Sequence, residues 1–508
     1  MRYLIVLLIS ISVLSLTSCR KDFDFEPSNG ELKFSKDTVY LDTVFTNIGS
    51  STYTLKVYNK SNKDIKIPTI RLGKGLESKY RITVDGMTGE NNRIFHDVEL
   101  LAKDSMYVFI EVTADVADAN PTDFLYTDQI LFDDGSNQQK VELVTLIQDA
   151  YFLYPKRFDN GTTETLLIGD DEVYGFYLDE NDPVNGNEYI WGNDKPYVVY
   201  GYAAVPNGKT LNVMPGARIH FHDSSGLIID NGGSLKVNGQ TSTTLALENE
   251  VIFEGDRLEP GFSDVPGQWG TIWLTDGSTG NEIKNLTIKN ATIGLLIDHN
   301  DGNYMTIKNT QIYNSSNIGI YAKTAKIKGE NIAINYGGVA ALACTLGGNY
   351  EFKHCTFNNN WPSSKQVSVL INDYFRDNTG MYFYQSLETH FTNCIIYGGN
   401  NVEFSLERRG TEVFTYDFKH CIIKFNNSQL SGTGLYNFSN VINYDTCFIS
   451  NNALLYDPRF KNVSANQLNL LEGSSAIGNG IYEPLVPKDI LGVTRPLSPD
   501  IGAYQFNN

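Results

Sequence analysis

The sequence predicts an all-β protein in which a β-sandwich is followed by a long solenoid of short strands and a C-terminal segment. Three observations lead to this fold class. The composition is 41% hydrophobic and 12% aromatic with few Met and Pro, which is typical of an ordered β protein. Apolar and polar residues alternate in residues 31–150. Residues 196–460 carry short apolar runs separated by Gly and Asn turns.

The N-terminus has the pattern of a secreted protein. MRYLIVLLISISVLSLTSC places Arg2 before an apolar run that is too short to span a bilayer, and small residues precede Cys19. Residues 1–18 are therefore predicted to be a signal peptide. The formal net charge of −19 becomes −20 when this peptide, whose only charged residue is Arg2, is removed. Such acidity argues against nucleic acid or anionic lipid as a partner.

The motif LTSC, which ends at Cys19, resembles the lipobox of bacterial lipoproteins. The resemblance implies that Cys19 is the lipid attachment site and that residues 19–30 are a lipidated tether. The following RKDFDFE resembles an export signal that directs some Gram-negative lipoproteins to the outer leaflet of the outer membrane. It implies an outer-membrane location, with periplasmic or cell-surface orientation left open. In the alternative interpretation, Cys19 is a plain thiol in an ordinary secretory signal or an uncleaved helix.

Residues 31–150 are predicted to form a β-sandwich. Runs such as YTLKVYN and SMYVFIEVTA alternate with period two, and seven or eight strands of this kind fit the segment. LFDDGSNQQKVEL predicts a hairpin because a Gly-containing turn separates two such runs. The stretch DTVFTNIGSSTYTLKVYNKSNKDIKI resembles ASH-type immunoglobulin-like domains, which implies an immunoglobulin-like sandwich between the anchor and a distal module.

Residues 151–195 are acidic and aromatic, and we interpret them as a connector. Their carboxylates could hold calcium, although no ligand spacing typical of a calcium loop is present. No other cofactor is expected.

Residues 196–460 are predicted to form a solenoid whose coils are about two dozen residues long. One position recurs at intervals of 19 to 27 residues, with a single interval of 39, at Ala291, Thr310, Ile332, Cys355, Cys394, Cys421 and Cys447. The runs NVMPGARIHF, GLIIDNGGSLKVNG and GQWGTIWL resemble right-handed parallel β-helix repeat proteins. Residues 461–508 resemble a choice-of-anchor Q ending, although Gly478 and Gln505 replace its common Asp and Glu. We interpret this tail as a cap on the open strand edge.

The tetrapeptide FKHC occurs twice, at 352–355 and 418–421, and raises the question of a metal site. If both residues of a pair lie in one strand, their side chains point to opposite faces and cannot share an ion. The cysteines are therefore predicted to be buried, free and inert, and His354 and His420 to face outward. No metal site is expected.

Three charged sets are candidates for acid–base chemistry on an acidic sugar. They are NDYFRDN with Asp373, Arg376 and Asp377, LLIDHND with Asp298, His299 and Asp301, and SLERRG with Glu407, Arg408 and Arg409. A carboxylate beside an arginine could neutralise a uronate while a base removes its proton. Solvated turn residues are the competing interpretation for each set, and none completes a recognisable catalytic pattern.

The interval of 39 residues between Cys355 and Cys394 indicates a loop inserted into one coil. Its aromatic residues could form a stacking wall for sugar rings, or they could pack the loop onto the solenoid. The wall would consist of Trp361, Tyr374, Phe375, Tyr382 and Tyr384.

Two functions remain, with a purely structural spacer as a third. The first is non-catalytic binding of polysaccharide or another cell-surface ligand by a lipid-anchored protein. The second is a polysaccharide lyase or glycoside hydrolase that acts on acidic glycans. Binding is favoured because a complete acid–base set is lacking, while anchor, spacer domain and long β-surface are all predicted.

Overall fold

The computed structural model describes residues 24–169, 171–244, 246–452 and 455–507. The predicted signal peptide, Cys19 and the start of the tether lie outside these residues. The chain divides into two compact units, Met1–Asp149 and Ala150–Asn508. No helix among the described residues is long and apolar enough to cross a membrane.

The first unit is the predicted immunoglobulin-like β-sandwich. Its strands are β1 Glu26–Pro27, β2 Lys33–Phe34, β3 Thr38–Phe45, β4 Tyr53–Tyr58, β5 Ile65–Leu72, β6 Tyr80–Val84, β7 Ile94–Leu100, β8 Ser105–Val112, β9 Leu125–Phe132 and β10 Gln139–Gln148. Short 3₁₀ helices lie at Gly75–Glu77, Val116–Asp118 and Gly135–Asn137. One sheet has the order β1-β5-β9-β10-β3 with β7 on β5, and the other has the order β2-β4-β8-β6.

The alternation read from the sequence produces the core of this sandwich. In β8 and β9 every second side chain is buried, so Val108, Ile110 and Ile130 have no exposed surface. The predicted hairpin is confirmed, because β9 and β10 pair in antiparallel register and Gly135 adopts a φ of +60° between them.

The second unit is a right-handed parallel β-helix. In chain order its strands are β11 Tyr151–Leu153, β12 Thr165–Ile168, β13 Asp171–Tyr177, β14 Ile190–Trp191, β15 Tyr197–Val199, β16 Tyr202–Val205, β17 Thr210–Val213, β18 Arg218–Phe221, β19 Gly226–Ile229, β20 Ser234–Asn238, β21 Val251–Gly255, β22 Trp269–Leu274, β23 Glu282–Lys284, β24 Leu286–Lys289, β25 Ala291–Ile297, β26 Met305–Ser315, β27 Ile318–Lys323, β28 Lys326–Gly337, β29 Ala340–Thr345, β30 Gly348–Lys353, β31 Thr356–Asn359, β32 Val367–Asn372, β33 Tyr374–Arg376, β34 Tyr382–Tyr384, β35 Leu387–Thr392, β36 Ile395–Gly398, β37 Phe404–Glu407, β38 Phe414–Lys419, β39 Ile422–Lys424, β40 Tyr444–Asp445, β41 Phe448–Ser450, β42 Phe460–Asn462 and β43 Gln467–Leu470. Further 3₁₀ helices lie at Pro260–Phe262, Gly434–Tyr436 and Val463–Ala465.

Successive coils contribute strands to three parallel rows, and the third row ends at β37 while the other two continue to β40 and β41. The first row contains β14, β17, β20, β23, β30, β35, β38 and β40, and the second contains β11, β15, β18, β21, β24, β31, β36, β39 and β41. The long strands β26 and β28 run through both rows and join them into one sheet. The third row is a separate sheet with the order β12-β13-β16-β19-β22-β25-β27-β29-β32-β37, in which the β12–β13 pair alone is antiparallel. We call the turns that lead from the third row back to the first row the third corner.

Like side chains stack along the core of the β-helix. The rings of Phe352, Phe391 and Phe418 follow one another with centroids 5.1 and 4.9 Å apart. Cys355, Cys394 and Cys421 form a parallel stack and are fully buried, as predicted. Each of these thiols donates to backbone carbonyls within the coil stack.

The turn between the first and second rows explains why Asn or His recurs before the stacked positions. It also corrects the alignment of Ala291 and the predicted orientation of His354 and His420. The residue before each stacked position has φ between 48° and 54°, and its occupants are Asn285, Asn309, Asn331, His354, Asn393 and His420. Asparagine tolerates this left-handed conformation better than most residues. The stacked position before Thr310 therefore belongs to Leu286, and Ala291 instead starts β25 in the third row.

The prediction that the histidines face outward from a strand is wrong for the same reason. His354 and His420 occupy the left-handed turn, where strand alternation does not apply. His354 is fully buried and accepts a hydrogen bond of 3.0 Å from Asn393 Nδ2, and burial lowers its pKa well below the usual range. His420 donates from Nδ1 to the carbonyl of Asn479.

Residues 151–195 are not a free connector, because their strands belong to the β-helix. Tyr151–Leu153 pair in parallel with Tyr197–Val199, and β13 pairs with β16 in the third row. Trp191 is fully buried in the common core. The strands of this segment are short and lie between acidic turns, so the sequence pattern did not identify them as the start of the solenoid.

The C-terminal segment covers a side of the β-helix rather than its last coil. Ile501 packs on Ile395 and Ile422 of the second row, and Tyr504 packs on Ala333. The last strand of the third row is capped instead by residues 426–443. There the Tyr436 hydroxyl accepts from the Leu406 backbone N–H at 2.9 Å and donates to its carbonyl at 3.1 Å. These bonds satisfy backbone groups at the sheet edge.

Candidate functional site

The long coil between Cys355 and Cys394 contains an inserted hairpin on the third corner. Strands β33 and β34 pair with Tyr374 opposite Tyr384, Phe375 opposite Phe383 and Arg376 opposite Tyr382. We call residues 374–384 the Tyr–Arg hairpin. Asp377 closes its turn by accepting from Thr379 and from the backbone N–H of Met381, and the Thr379 bond lowers the pKa of Asp377.

The base of the hairpin is held by Asp373, which is fully buried. Its two carboxylate oxygens accept hydrogen bonds from the backbone N–H groups of Arg409 and Gly410, at 2.8 and 2.9 Å. The hairpin ends close together, because the Gln385 N–H donates to the Asp373 carbonyl at 3.0 Å. Asp373 therefore joins the hairpin to the loop that follows β37.

One face of the hairpin carries tyrosines and arginines. The Tyr374 and Tyr382 ring centroids are 5.8 Å apart, and the Tyr382 and Tyr384 rings lie 6.2 Å apart at an angle of 8°. The Arg409 guanidinium carbon lies 4.8 Å from the Tyr374 centroid and 5.2 Å from that of Tyr382, and the Arg376 carbon lies 5.5 Å from the latter. The structure thus joins two of the charged sets that the sequence presents separately.

Glu407 anchors this face to the β-helix. It accepts a hydrogen bond from the Tyr374 hydroxyl and another, of 3.2 Å, from Ser405. Burial, and then the bond to Glu407, raise the pKa of Tyr374. The opposite face of the hairpin exposes Phe375 and Phe383 at 41% and 46% of their surface. Exposed rings on a projecting two-stranded hairpin add nothing to the core of the β-helix, and such patches commonly mark binding sites.

A groove of about 390 Å³ runs along the third corner beside the hairpin ends, and we call it the corner groove. His299 and Asn300 line it on one side, and Gln385 and Ser386, which directly follow the hairpin, line it on the other. Asn349 and Glu388 also line the groove; Asn349 donates to Glu388 and accepts from the hydroxyl of Tyr304, which lies outside the lining, each at 2.6 Å. The groove offers hydrogen-bonding groups of the kind that bind sugar hydroxyls.

Behind Glu388 lies a histidine that the sequence interpretation did not single out. His390 bonds through Nδ1 to Asp417 of the next coil and through Nε2 to Glu388 at 3.3 Å. Burial lowers the pKa of His390, but the two carboxylates outweigh it and the net direction is upward. The signal was present in the repeats, since His390 and Asp417 each stand four residues before a stacked cysteine.

Trp361 does not join the aromatic residues of the hairpin, so the predicted wall does not form as one surface. Trp361 lies in the turn before β32, whereas the hairpin follows β32. A strand of six residues separates the two, which corresponds to about 20 Å. The wall is therefore reduced to Tyr374, Tyr382 and Tyr384, with Phe375 on the other face.

The catalytic candidates Asp373, Arg376 and Asp377 are also not brought together as an acid–base set. Asp373 is buried at the hairpin base, Asp377 closes the turn at the far end, and Arg376 lies over Tyr382. In the LLIDHND set, Asp298 pairs with Lys323, while His299 Nδ1 bonds to Asp276 at 2.9 Å. Asp301 accepts from Thr279, which lowers the Asp301 pKa.

Glu403 was also not recognised from the sequence. It is fully buried in the turn before β37, where one oxygen accepts from the Asn400 N–H at 2.5 Å and from Gln366 Nε2 at 3.2 Å. Its Oε2 and the Gln366 Oε1 have no partner. Burial raises the Glu403 pKa to about 8.

Among the described residues, no group of three or more His, Cys, Asp or Glu side chains is arranged to hold a metal ion. The carboxylates proposed for calcium in residues 151–195 are used internally. Asp182 accepts from the N–H groups of Val184 and Asn185, and Glu188 accepts from the Asp179 N–H at 2.9 Å.

No family model matches this chain, and no curated protein matches it. Several solved structures are similar to about a quarter of this chain. The ASH/PapD-like domain of human CEP192 is 13% identical over 26% of this chain and 96% of that domain, with a TM-score of 0.16. The E. coli chaperone DraB is 13% identical over 24% of this chain, with a TM-score of 0.17. A family 123 glycoside hydrolase from Clostridium perfringens is 8% identical over 24%, also with a TM-score of 0.17. The chain spans 57% of DraB and 30% of that hydrolase. Likenesses of this size carry no argument about activity.

Proposed function

We propose that this protein is a lipid-anchored surface protein whose β-helix binds polysaccharide without cleaving it. The observation that carries the proposal is the Tyr–Arg hairpin, which projects aromatic rings beside the corner groove. Sugar rings present flat C–H faces that stack on aromatic rings and hydroxyl groups that bond to amides and carboxylates. Both kinds of partner occur on this corner.

The carboxylates of the hairpin argue against catalysis there. An acid–base mechanism needs titratable groups that can reach one substrate atom. The Asp373 oxygens are occupied by two backbone N–H groups, and Asp377 is bound within its own turn. On the first row the other charged side chains neutralise one another, as in the pairs Lys308–Glu330 and Lys236–Glu282.

The hydrolytic or lyase alternative has one observation in its favour. Asp417, His390 and Glu388 form a hydrogen-bonded series that ends at the corner groove. A carboxylate–histidine–carboxylate series can relay a proton. If the protein degrades a glycan and Glu388→Gln abolishes that activity, the function is catalysis rather than binding.

The anchor part of the proposal depends on the N-terminal sequence alone. The lipobox at Cys19 and the RKDFDFE segment after it favour a lipoprotein of the outer membrane, in which the immunoglobulin-like unit lies between the lipid and the β-helix in chain order. The identity of the polysaccharide is tested by a glycan array.

The decisive variant removes the hairpin. Because the Gln385 N–H bonds to the Asp373 carbonyl, an Asn-Gly turn can replace residues 374–384 with little strain. We expect array binding to be lost, while the β-helix keeps its melting temperature. A point variant, Tyr382→Ala with Tyr384→Ala, should weaken binding about thirtyfold, since each of the two ring contacts is worth about 1 kcal/mol. Tyr40→Ala, which removes a tyrosine that is 68% exposed in the first unit, is the matched control. Unchanged binding without the hairpin would refute the proposal.

A further inference from the structure

The arginines around the hairpin differ from most other cations of the β-helix surface. Lysines of the first row, such as Lys308, Lys328 and Lys353, form ion pairs with glutamates. By contrast, Arg376, Arg408 and Arg409 are all exposed, and none of them forms an ion pair with any carboxylate of the described residues. Arg376 and Arg409 both lie over the Tyr382 ring, so the hairpin face carries two guanidinium groups without an ion-paired carboxylate among the described residues, in a chain with a net charge of −19.

The carboxylates nearest to these arginines are already occupied. Asp373 accepts from two backbone N–H groups, and Glu407 accepts from Tyr374 and Ser405. The carboxylates thus stabilise the protein itself and leave the guanidinium N–H groups available. A guanidinium has five N–H donors, and those that face solvent can bind an external anion in bidentate fashion.

The arginines are also held in place before any ligand binds. The guanidinium carbons of Arg376 and Arg409 lie 5.5 and 5.2 Å from the Tyr382 centroid, so they are at most about 11 Å apart. Arg409 Nη1 donates to the Tyr382 hydroxyl at 3.4 Å, and Arg408 Nη2 donates to the Glu412 carbonyl at 3.1 Å. Stacking on rings and bonds to backbone reduce the entropy that binding would otherwise cost.

We propose that the Tyr–Arg hairpin and the loop after β37, residues 408–410, form a site for an anionic sugar residue. Tyr382 and Tyr384 contact the sugar ring, and Arg376 and Arg409 bind its charged group. The charged group is a carboxylate of a uronic acid or a sulfate ester, since both present the planar or trigonal oxygens that arginine binds. This inference rests on the proposed function and specifies the class of glycan.

Three polysaccharides test it on the purified full-length protein: polygalacturonate, dextran sulfate and neutral dextran. We expect binding to at least one anionic polymer that weakens as salt rises, with neutral dextran bound more weakly or not at all. The double variant Arg376→Gln, Arg409→Gln should weaken anionic binding about tenfold, which is the effect of about 1.4 kcal/mol. Arg409→Lys keeps the charge but loses the planar guanidinium, so its affinity should lie between those of the double variant and the unmodified protein.

Lys365→Gln is the matched control, because it removes an exposed cation from another corner of the same coil and should leave binding unchanged. Polygalacturonate binding alone identifies a uronate, and dextran sulfate binding alone identifies a sulfate. If the double arginine variant binds anionic polymers as the unmodified protein does, the inference is overturned. If neutral dextran alone binds, and binds through Tyr382, the inference fails while the proposed function stands. If no array glycan binds at all, the proposed function itself fails.

Discussion

Replacing Glu403 by Gln should stabilise the β-helix at neutral and alkaline pH. Glu403 and Gln366 face each other with one bond, from Gln366 Nε2 to Glu403, and with one unpartnered oxygen on each residue. A protonated Glu403 can donate from Oε2 to Gln366 Oε1 and so complete a two-bond acid–amide pair. The charged group in the surroundings is Lys424, whose Nζ instead donates to the Gly398 carbonyl. A glutamine at 403 reproduces the protonated pair at every pH.

The pH dependence follows from the raised pKa. The unfolded chain releases the Glu403 proton near pH 4.5, whereas burial delays release in the folded protein to about pH 8. The folded state therefore binds one proton more between these values, and the free energy of unfolding falls as pH rises from 4.5 to 8. Since one pKa unit is worth about 1.4 kcal/mol, the full loss is about 5 kcal/mol. The loss is complete above pH 8 and absent below pH 4.5.

The assay is urea unfolding of the wild-type and Glu403→Gln proteins between pH 5 and 9. All four tryptophans lie in the second unit, so their fluorescence reports the β-helix alone. We expect the variant to gain about 4 kcal/mol over the wild type between pH 5 and 8, followed by a plateau. The control is Glu282→Gln, which removes a partly exposed carboxylate whose pKa is lowered by Lys236. The stability difference between this variant and the wild type should stay nearly constant over this range. A flat difference for Glu403→Gln, or a less stable variant at pH 7, would refute the reasoning.

Three further outcomes are expected. Cys19→Ala should move the protein from the detergent phase to the aqueous phase in partitioning, and continued membrane association would require another anchor. Cys394 should resist thiol labelling until unfolding, because it is fully buried and burial raises the pKa of its thiol; rapid labelling in native buffer would contradict the stack. Tyr436→Phe should lower the free energy of unfolding of the β-helix by about 1–2 kcal/mol, since both bonds to Leu406 are lost, and an unchanged urea midpoint would argue against the cap.

The sequence predicted the two β architectures because both depend on local periodicity. Alternation with period two marks strands such as β8 and β9, and the Lys-Asn and Lys-His dipeptides mark the turns of successive coils. Periodicity failed where a side chain belongs to a turn rather than a strand. Asn285 and Asn290 both follow a lysine and both adopt positive φ. Either Lys-Asn pair could therefore be aligned with Lys308-Asn309 of the next coil. Parallel pairing of Leu286–Lys289 with β26 decides between them.

The candidate site was predicted only in part, because its residues come from different coils. The length of the insertion identified Tyr374 and Tyr382, but nothing local placed Arg409 beside them, since that contact depends on the register between β32 and β37. The buried carboxylate of Glu403 was overlooked because its partner Gln366 belongs to the previous coil. Contacts between coils are set by the stacking of whole turns, which a reading of one coil at a time does not reveal.

The outer face of the second row shows how the C-terminal segment and the coils depend on each other. Ala333, Ile395 and Ile422 point outward from their strands, yet they are fully buried by residues 460–506. Arg495, also buried, donates to the Asn331 side chain and to the carbonyl of Gly502, so it links the turn between the first two rows to the tail. Without this cover the outward side chains of the second row would expose an apolar face that is prone to association. The Tyr–Arg hairpin on the third corner leaves Tyr384, Arg376 and Arg409 exposed, and these are among the groups that we propose contact a ligand.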